Sequence, residues 1–188
     1  MSIQIKGEKM RKIYIILTYT GTILSKIIKY YMRDEFSHVS IALDSELKEM
    51  YSFGRLNPYN PFIGGFIHEY IDRGTFKRFK KTRAKIIELN IEENQYFKLK
   101  ETIKKMQLKK EQFRFNIWGL FAVGLNIKIQ PENSFYCAEF VKYLIEKSNI
   151  DIELPEIVRP DCFKNICGGQ EVYNGLLQNY SYETAAII

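Results

Sequence analysis

Features that would announce a disulfide scaffold, a zinc module or a membrane span are missing from this chain. There are three cysteines, Cys137, Cys162 and Cys167, an odd number with no CxxC pair. That count indicates neither a disulfide framework nor a structural zinc site, and it fits a reduced, intracellular setting better. Cys162 and Cys167 taken with His68 match no zinc spacing, so the two cysteines read as structural and no metal is expected. Long apolar runs are also missing. Ile13 to Leu17 follows the basic Lys9 to Lys12, but it is too short for a secretion signal and no small-residue cleavage site comes after it. Ile117 to Ile127 falls well below membrane-spanning length. The expectation is a cytoplasmic protein with no transmembrane segment. There is no internal repeat, low-complexity segment or linker, and no nucleic-acid-binding motif, so no nucleic-acid partner is expected.

What is present describes a single folded domain. The 188 residues are 46% hydrophobic and 27% charged, with Phe and Tyr at 13 each, enough for one domain over 1–188 with a partly aromatic core over about 11–182. The net charge of +6 is concentrated in Lys77 to Arg83 and in Lys98 to Lys110. Those runs read first as a solvated basic face, and second as a weak attraction to an anionic surface such as lipid headgroups or cell-wall polymer.

The stretch with most chemical content is Ser134 to Ile145. Apolar residues at Cys137, Phe140, Val141, Leu144 and Ile145 have the one-sided spacing of an amphipathic helix, which Ser134 or Asn133 would cap. Cys137 then lies in the first turn on the inward face, where the positive end of the helix dipole favours a thiolate. A thiolate so placed is a nucleophile if a base stands beside it. Without a base, such a cysteine is a small packed hydrophobe.

Elsewhere, Lys12 to Thr18 reads as a buried strand, and Ile23, Leu24, Ile27, Ile28 and Tyr31 trace a helical stripe capped by Thr22. Ser37 to Leu43 alternates, with Val39, Ile41 and Leu43 on one side and His38, Ser40 and Ala42 on the other. Asp44 to Glu46 is a turn and Leu47 to Phe53 the returning strand of a hairpin. A three-residue loop pairs Leu43 with Leu47 and His38 with Ser52, putting the serine beside the imidazole. A two-residue loop would bring Glu49 there instead. Leu56 to Gly65 reads as a loop walling a cleft, Glu92 to Glu111 as a helix with Tyr96, Leu99, Ile103 and Met106 inward, and Arg114 to Ile129 as a broken helix. Lys85 to Ile91 and Val172 to Tyr180 are further strands. His68 is the rival base, with no strand pattern to frame it.

Ser37-His38-Val39-Ser40-Ile41 on a strand, followed about a hundred residues later by Phe135-Tyr136-Cys137-Ala138-Glu139-Phe140-Val141, resembles the circularly permuted NlpC-type papain-like hydrolases. That group includes the YiiX/YaeF-like enzymes and relatives of lecithin–retinol acyltransferase. The Arg159-Pro160-Asp161 step resembles it too, and the element order fits from about Ile13 to Tyr180. The resemblance implies an α+β, permuted papain-like fold, with an antiparallel sheet packed against helices and the nucleophile at a helix N-terminus. It implies Cys137 as nucleophile, His38 as base and no cofactor. The group's third member is a polar residue on the strand after the histidine; here that is Ser52, a departure from the usual His, Glu, Gln or Asn, with Glu49 as fallback. Tyr136 could add a hydroxyl near the oxyanion. The implied activity is cleavage of an amide in a peptidoglycan-type peptide or N-acyl substrate through an acyl-enzyme. A lipid-directed thiol acyltransferase or esterase, and a catalytically silent binding module with the same cleft, stay open.

Overall fold

The structure is a computed structural model that describes residues 9–57 and 60–181. Among the described residues eight strands follow one another as β1 (Met10–Tyr19), β2 (His38–Ala42), β3 (Met50–Asn57), β4 (Asn60–Glu69), β5 (Arg83–Glu92), β6 (Arg114–Phe115), β7 (Ser134–Phe135) and β8 (Gly169–Leu176). Five α-helices intervene, α1 (Ile23–Met32), α2 (Gly74–Arg78), α3 (Glu93–Leu108), α4 (Ile117–Val123) and α5 (Cys137–Lys147). Six strands form one antiparallel sheet in the order β4-β3-β2-β1-β5-β8, and β6 and β7 pair as a short parallel ribbon. The class is therefore α+β, as expected from the sequence.

β1 lies in the middle of the sheet and is covered on both faces, so Ile13 to Leu17 is apolar without interruption and fully buried. Ile13, Ile15, Leu17, Val39, Ile41 and Phe53 face α3 and α5. Tyr14, Ile16, Ala42 and Met50 face the other way, under Phe76, Tyr173 and Leu177. α3 buries Tyr96, Leu99, Ile103 and Met106, the stripe read from the sequence. α5 buries its apolar face against β2 and β3, with Phe140 enclosed by Phe53 and Phe66 at ring separations of 5.1 and 5.8 Å.

Four expectations are corrected. Leu56 to Gly65 is not a loop but most of a second hairpin, since β3 and β4 run through it; residues 58 and 59 lie outside the described residues. The first hairpin slides by two residues, pairing Ile41 with Tyr51 and Ala42 with Met50. The Asp44 carboxylate accepts from the Lys48 and Glu49 amides at 3.0 and 2.6 Å, and Leu47 adopts a left-handed conformation with its side chain buried, which lengthens the turn. In Arg114 to Ile129 only α4 is helical. On α1, Ser25, Ile28 and Met32 point inward, whereas Ile23, Ile27 and Tyr31 of the expected inner stripe are exposed.

The Arg159-Pro160-Asp161 step opens a 3₁₀ turn over Pro160–Phe163 and ties down the segment between α1 and β2. The Asp161 carboxylate accepts from the Glu35 and Phe36 amides at 2.8 and 3.0 Å, and Arg159 donates to the Met32 carbonyl at 3.0 Å. Two hydrogen bonds to a charged acceptor here stabilise the start of β2. Asp161→Ala should lower the unfolding free energy by about 2 kcal/mol without changing the fold, as checked by urea denaturation. An unaltered midpoint would show that the step is dispensable.

Candidate active site

α5 begins at Cys137, and Tyr136 is its extended N-cap residue, in place of the expected Ser134 or Asn133. Glu139 in the first turn reaches back to accept from the Tyr136 amide at 3.1 Å and also accepts from Asn116 Nδ2 at 3.2 Å. Asn116 caps α4 through its Oδ1, which accepts from the Gly119 amide at 2.8 Å, so one side chain joins the starts of α4 and α5. Burial pushes the Glu139 carboxyl up to about 7, against the hydrogen bonds from Tyr136 and Asn116. This frame sets Cys137, buried and at the first helical position, where α5 meets the sheet.

His38 is the first residue of β2, and its side chain is 18% exposed. Its Nε2 lies 3.0 Å from Oε1 of Glu69, whose side chain is 8% exposed, and Ser40 donates to the other carboxylate oxygen. The Cys137 thiol is close enough to the imidazole to hydrogen-bond it. With Nε2 given to Glu69, Nδ1 is the nitrogen left for the sulfur. Burial works against the imidazolium, but the Glu69 carboxylate and the contacts to Cys137 outweigh it, and His38 is pushed up to about 10. Gly54 on β3 makes the arrangement fit, because a Cβ there would lie 3.2 Å from the imidazole Cε1 and 3.0 Å from Ile67 Cδ1.

These groups open into a cleft of about 70 Å³ at the end of the sheet where β1 stops and β2 starts. Its walls include Ile28, Phe53, Phe76, Phe115 and Leu120. Thr22 and Ser25 also line it, but their polar atoms are spent within the N-cap of α1: Thr22 Oγ1 accepts from the Ser25 amide and Ser25 Oγ donates to the Thr22 carbonyl. The cleft is thus largely apolar with a thiol and an imidazole at its base.

Of the residues expected from the sequence, Cys137 and His38 come together. Ser52 does not orient the imidazole. Its hydroxyl donates to the Val39 carbonyl at 2.7 Å, at the point where the ladder between β2 and β3 ends. Glu49 is excluded too, since the two-residue slide puts it opposite Leu43, where its carboxylate meets Lys100 at 3.4 Å. The Tyr136 hydroxyl is buried and donates to the Val158 carbonyl at 2.9 Å, and burial raises its pKa, so it does not present a donor to the cleft. His68 is saturated: Nε2 donates to the Lys48 carbonyl at 2.6 Å, Nδ1 accepts from Tyr70, and the ring stacks on Tyr51. Cys162 accepts from the Arg159 amide and Cys167 is exposed. Among the described residues no three His, Cys, Asp or Glu side chains gather around a metal position.

The residue that sequence reasoning missed is Glu69. Its signal was the alternation of Phe66 and His68 with Ile67 and Glu69, legible once 60–69 is read as a strand. No protein-family model matches the chain, and no match is found among curated proteins or solved structures.

The raised His38 pKa has a defined sign. The folded protein holds a proton that the unfolded chain releases near 6.5, so this stabilisation is complete below about pH 6.5 and lost as pH rises through about 10. Replacing Glu69 by Gln removes the carboxylate that raises it. The His38 ring resonances, followed by NMR, should titrate near 10 in the wild type and well below that in Glu69→Gln. Equal midpoints in the two proteins would mean that Glu69 does not set the charge of the imidazole.

Proposed function

We propose that this protein is a thiol hydrolase of the permuted papain-like group, cleaving an amide through a Cys137 acyl-enzyme. One observation carries the reading: a helix-N-terminal thiol, an imidazole and a buried carboxylate line one cleft, the carboxylate bonded to the imidazole. The apolar walls suit the acyl part of an N-acyl substrate better than a polar peptide, and the expectation of a peptidoglycan-type peptide becomes secondary.

The chemistry then runs in two halves. The Cys137 sulfur attacks the amide carbonyl carbon, and the oxyanion meets first-turn amides of α5, which have no acceptor inside the helix. A donor of this kind lowers the barrier by about 3 kcal/mol. His38, protonated, donates from Nδ1 to the leaving nitrogen as the C–N bond breaks, leaving a thioester. His38 next takes a proton from a water molecule, the resulting hydroxide attacks the thioester carbonyl, and the acid and the thiol are released. Glu69 accepts from Nε2–H throughout and compensates the charge on the ring.

Cys137→Ala and His38→Ala should each lower turnover of an N-acyl amide by about a thousandfold or more while leaving the circular dichroism spectrum intact. Intact mass after mixing with an activated acyl ester should show one acyl group on the wild type and none on Cys137→Ala. Alkylation with iodoacetamide at pH 6 supplies a direct comparison, with Cys137 reacting ahead of the exposed Cys167. A chain that takes no acyl group, and whose Cys137 reacts no faster than Cys167, would be a binding module instead. Gly54→Val, which crowds the imidazole, should reduce turnover and leave the chain folded.

A further inference from the structure

We propose that α1 and α4 seat the protein on an anionic lipid bilayer, with the cleft mouth turned toward the membrane. Each helix carries an outward apolar stripe. On α1 it is Ile23, Ile27 and Tyr30, at spacings of four and three; on α4 and the turn after it, Trp118, Phe121 and Leu125, at spacings of three and four. Ile23 is 79% exposed, Tyr30 88%, Trp118 75% and Leu125 65%, so these side chains are largely uncovered among the described residues. The stripes lie on adjoining helices. The Tyr31 ring lies directly against Gly124, where a Cβ would come within 1.9 Å of it, so the C-terminal ends of the two helices touch. Both helices also wall the cleft, α1 through Ser25 and Ile28 and α4 through Leu120.

Charge identifies the occupant. α1 contains no acidic residue but carries Lys26 and Lys29, and Arg33 follows it directly. Lys128 lies beyond α4 next to exposed Ile127 and Ile129, where it is paired with the exposed Glu156 at 3.2 Å, so the net charge of this face rests on Lys26, Lys29 and Arg33. A Trp and Tyr rim interspersed with aliphatic side chains and bordered by lysines matches the headgroup boundary of an anionic bilayer, which takes up aromatic rings and attracts the ammonium groups. The basic runs prominent in the sequence, Lys77 to Arg83 and Lys98 to Lys110, fall on and around α2, the start of β5, and α3, and the proposed docking face does not depend on them. If the hydrolase reading above holds, the substrate is an acyl compound carried in that membrane; the docking face itself does not depend on that reading.

The test uses Cys137→Ala, which keeps the docking face whatever its catalytic competence. Trp118 is the sole tryptophan and reports directly. With vesicles of phosphatidylglycerol its emission should move to the blue and the protein should co-sediment, about tenfold more than with phosphatidylcholine alone, and less as salt rises. Ile23→Ser with Leu125→Ser should lower that partition roughly tenfold or more, and Lys26→Glu should reduce the preference for anionic lipid. Circular dichroism checks the folding of the variants, and the wild-type fluorescence stands without them. The proposal is overturned by an emission spectrum unmoved by anionic vesicles, by undiminished partition of the double variant, or by sedimentation showing that a dimer covers Trp118. Vesicle binding by Cys137→Ala, with no acyl group taken up by the wild type from the activated ester, would sink the hydrolase reading and leave the docking face standing, and the converse pair of results would do the opposite.

Discussion

The contact between Glu69 and His38 constrains more of this molecule than any other polar pair. A carboxylate withdrawn from water carries a penalty of several kcal/mol unless its oxygens are hydrogen-bonded and its charge is met. Here one oxygen takes the imidazole Nε2 and the other takes Ser40. The partners sit on β2 while Glu69 ends β4, so β3 runs between them in the sheet order. The contact is feasible because the β2–β3 ladder is confined to 41–42 and 50–51, and because β3 has glycine where the imidazole passes. Ser52 closes the separation by donating to the Val39 carbonyl. The geometry of the sheet and the orientation of the ring are thus one problem, solved by the short ladder, Gly54 and Ser52 together.

That coupling explains which parts of the site were legible in the sequence. Cys137 could be found because helix periodicity is local: five apolar positions within nine residues define a face, and the thiol's place at the first turn follows. His38 could be found because β2 alternates cleanly. The third residue could not be found by the same means, since its identity depends on a hairpin register and on a strand beyond it. The register slipped by two residues because the Asp44 side chain and the left-handed Leu47 stretch the turn, features that periodicity does not report. Parity survived that slip, which is why Ser52 stays on the face of Ser40 while losing its place beside His38. The strand holding Glu69 was hidden because Asn, Pro and Gly in 56–65 signal a loop, whereas the chain there runs through a hairpin between β3 and β4.

Apolar periodicity on α1 misled for a different reason. Ile23, Ile27, Ile28 and Tyr31 look like a single buried face, and the helix does have one buried face, but Ser25 and Met32 belong to it and Ile23 and Ile27 do not. Periodicity counts apolar residues without saying what covers them. A helix at the edge of a fold can bury a narrow stripe inward and present a second one outward, and only the arrangement of neighbours tells the two apart. The outward stripe on α1 gains meaning from the matching one on α4.

These observations meet in the five residues between α1 and β2. Arg33 to Ser37 connect the end of the proposed docking helix to His38, and this segment is fixed from one side by the 3₁₀ turn at Pro160. Asp161 holds the Glu35 and Phe36 amides, Lys164 pairs with Glu35, and Arg159 lies 3.6 Å from buried Asp34. Burial pushes the Asp34 carboxyl up to about 6 in spite of Arg159, which marks a carboxyl held in a tight, partly dry space. A short segment held by this many contacts transmits displacement poorly as flexibility but well as rigid movement. Seating α1 on a surface therefore fixes the orientation of His38 and the cleft relative to that surface, with no separate closing element required. In the proposed reaction an acyl chain would enter along the apolar walls that α1 and α4 give the cleft, and the carbonyl would arrive last, at the Cys137 sulfur.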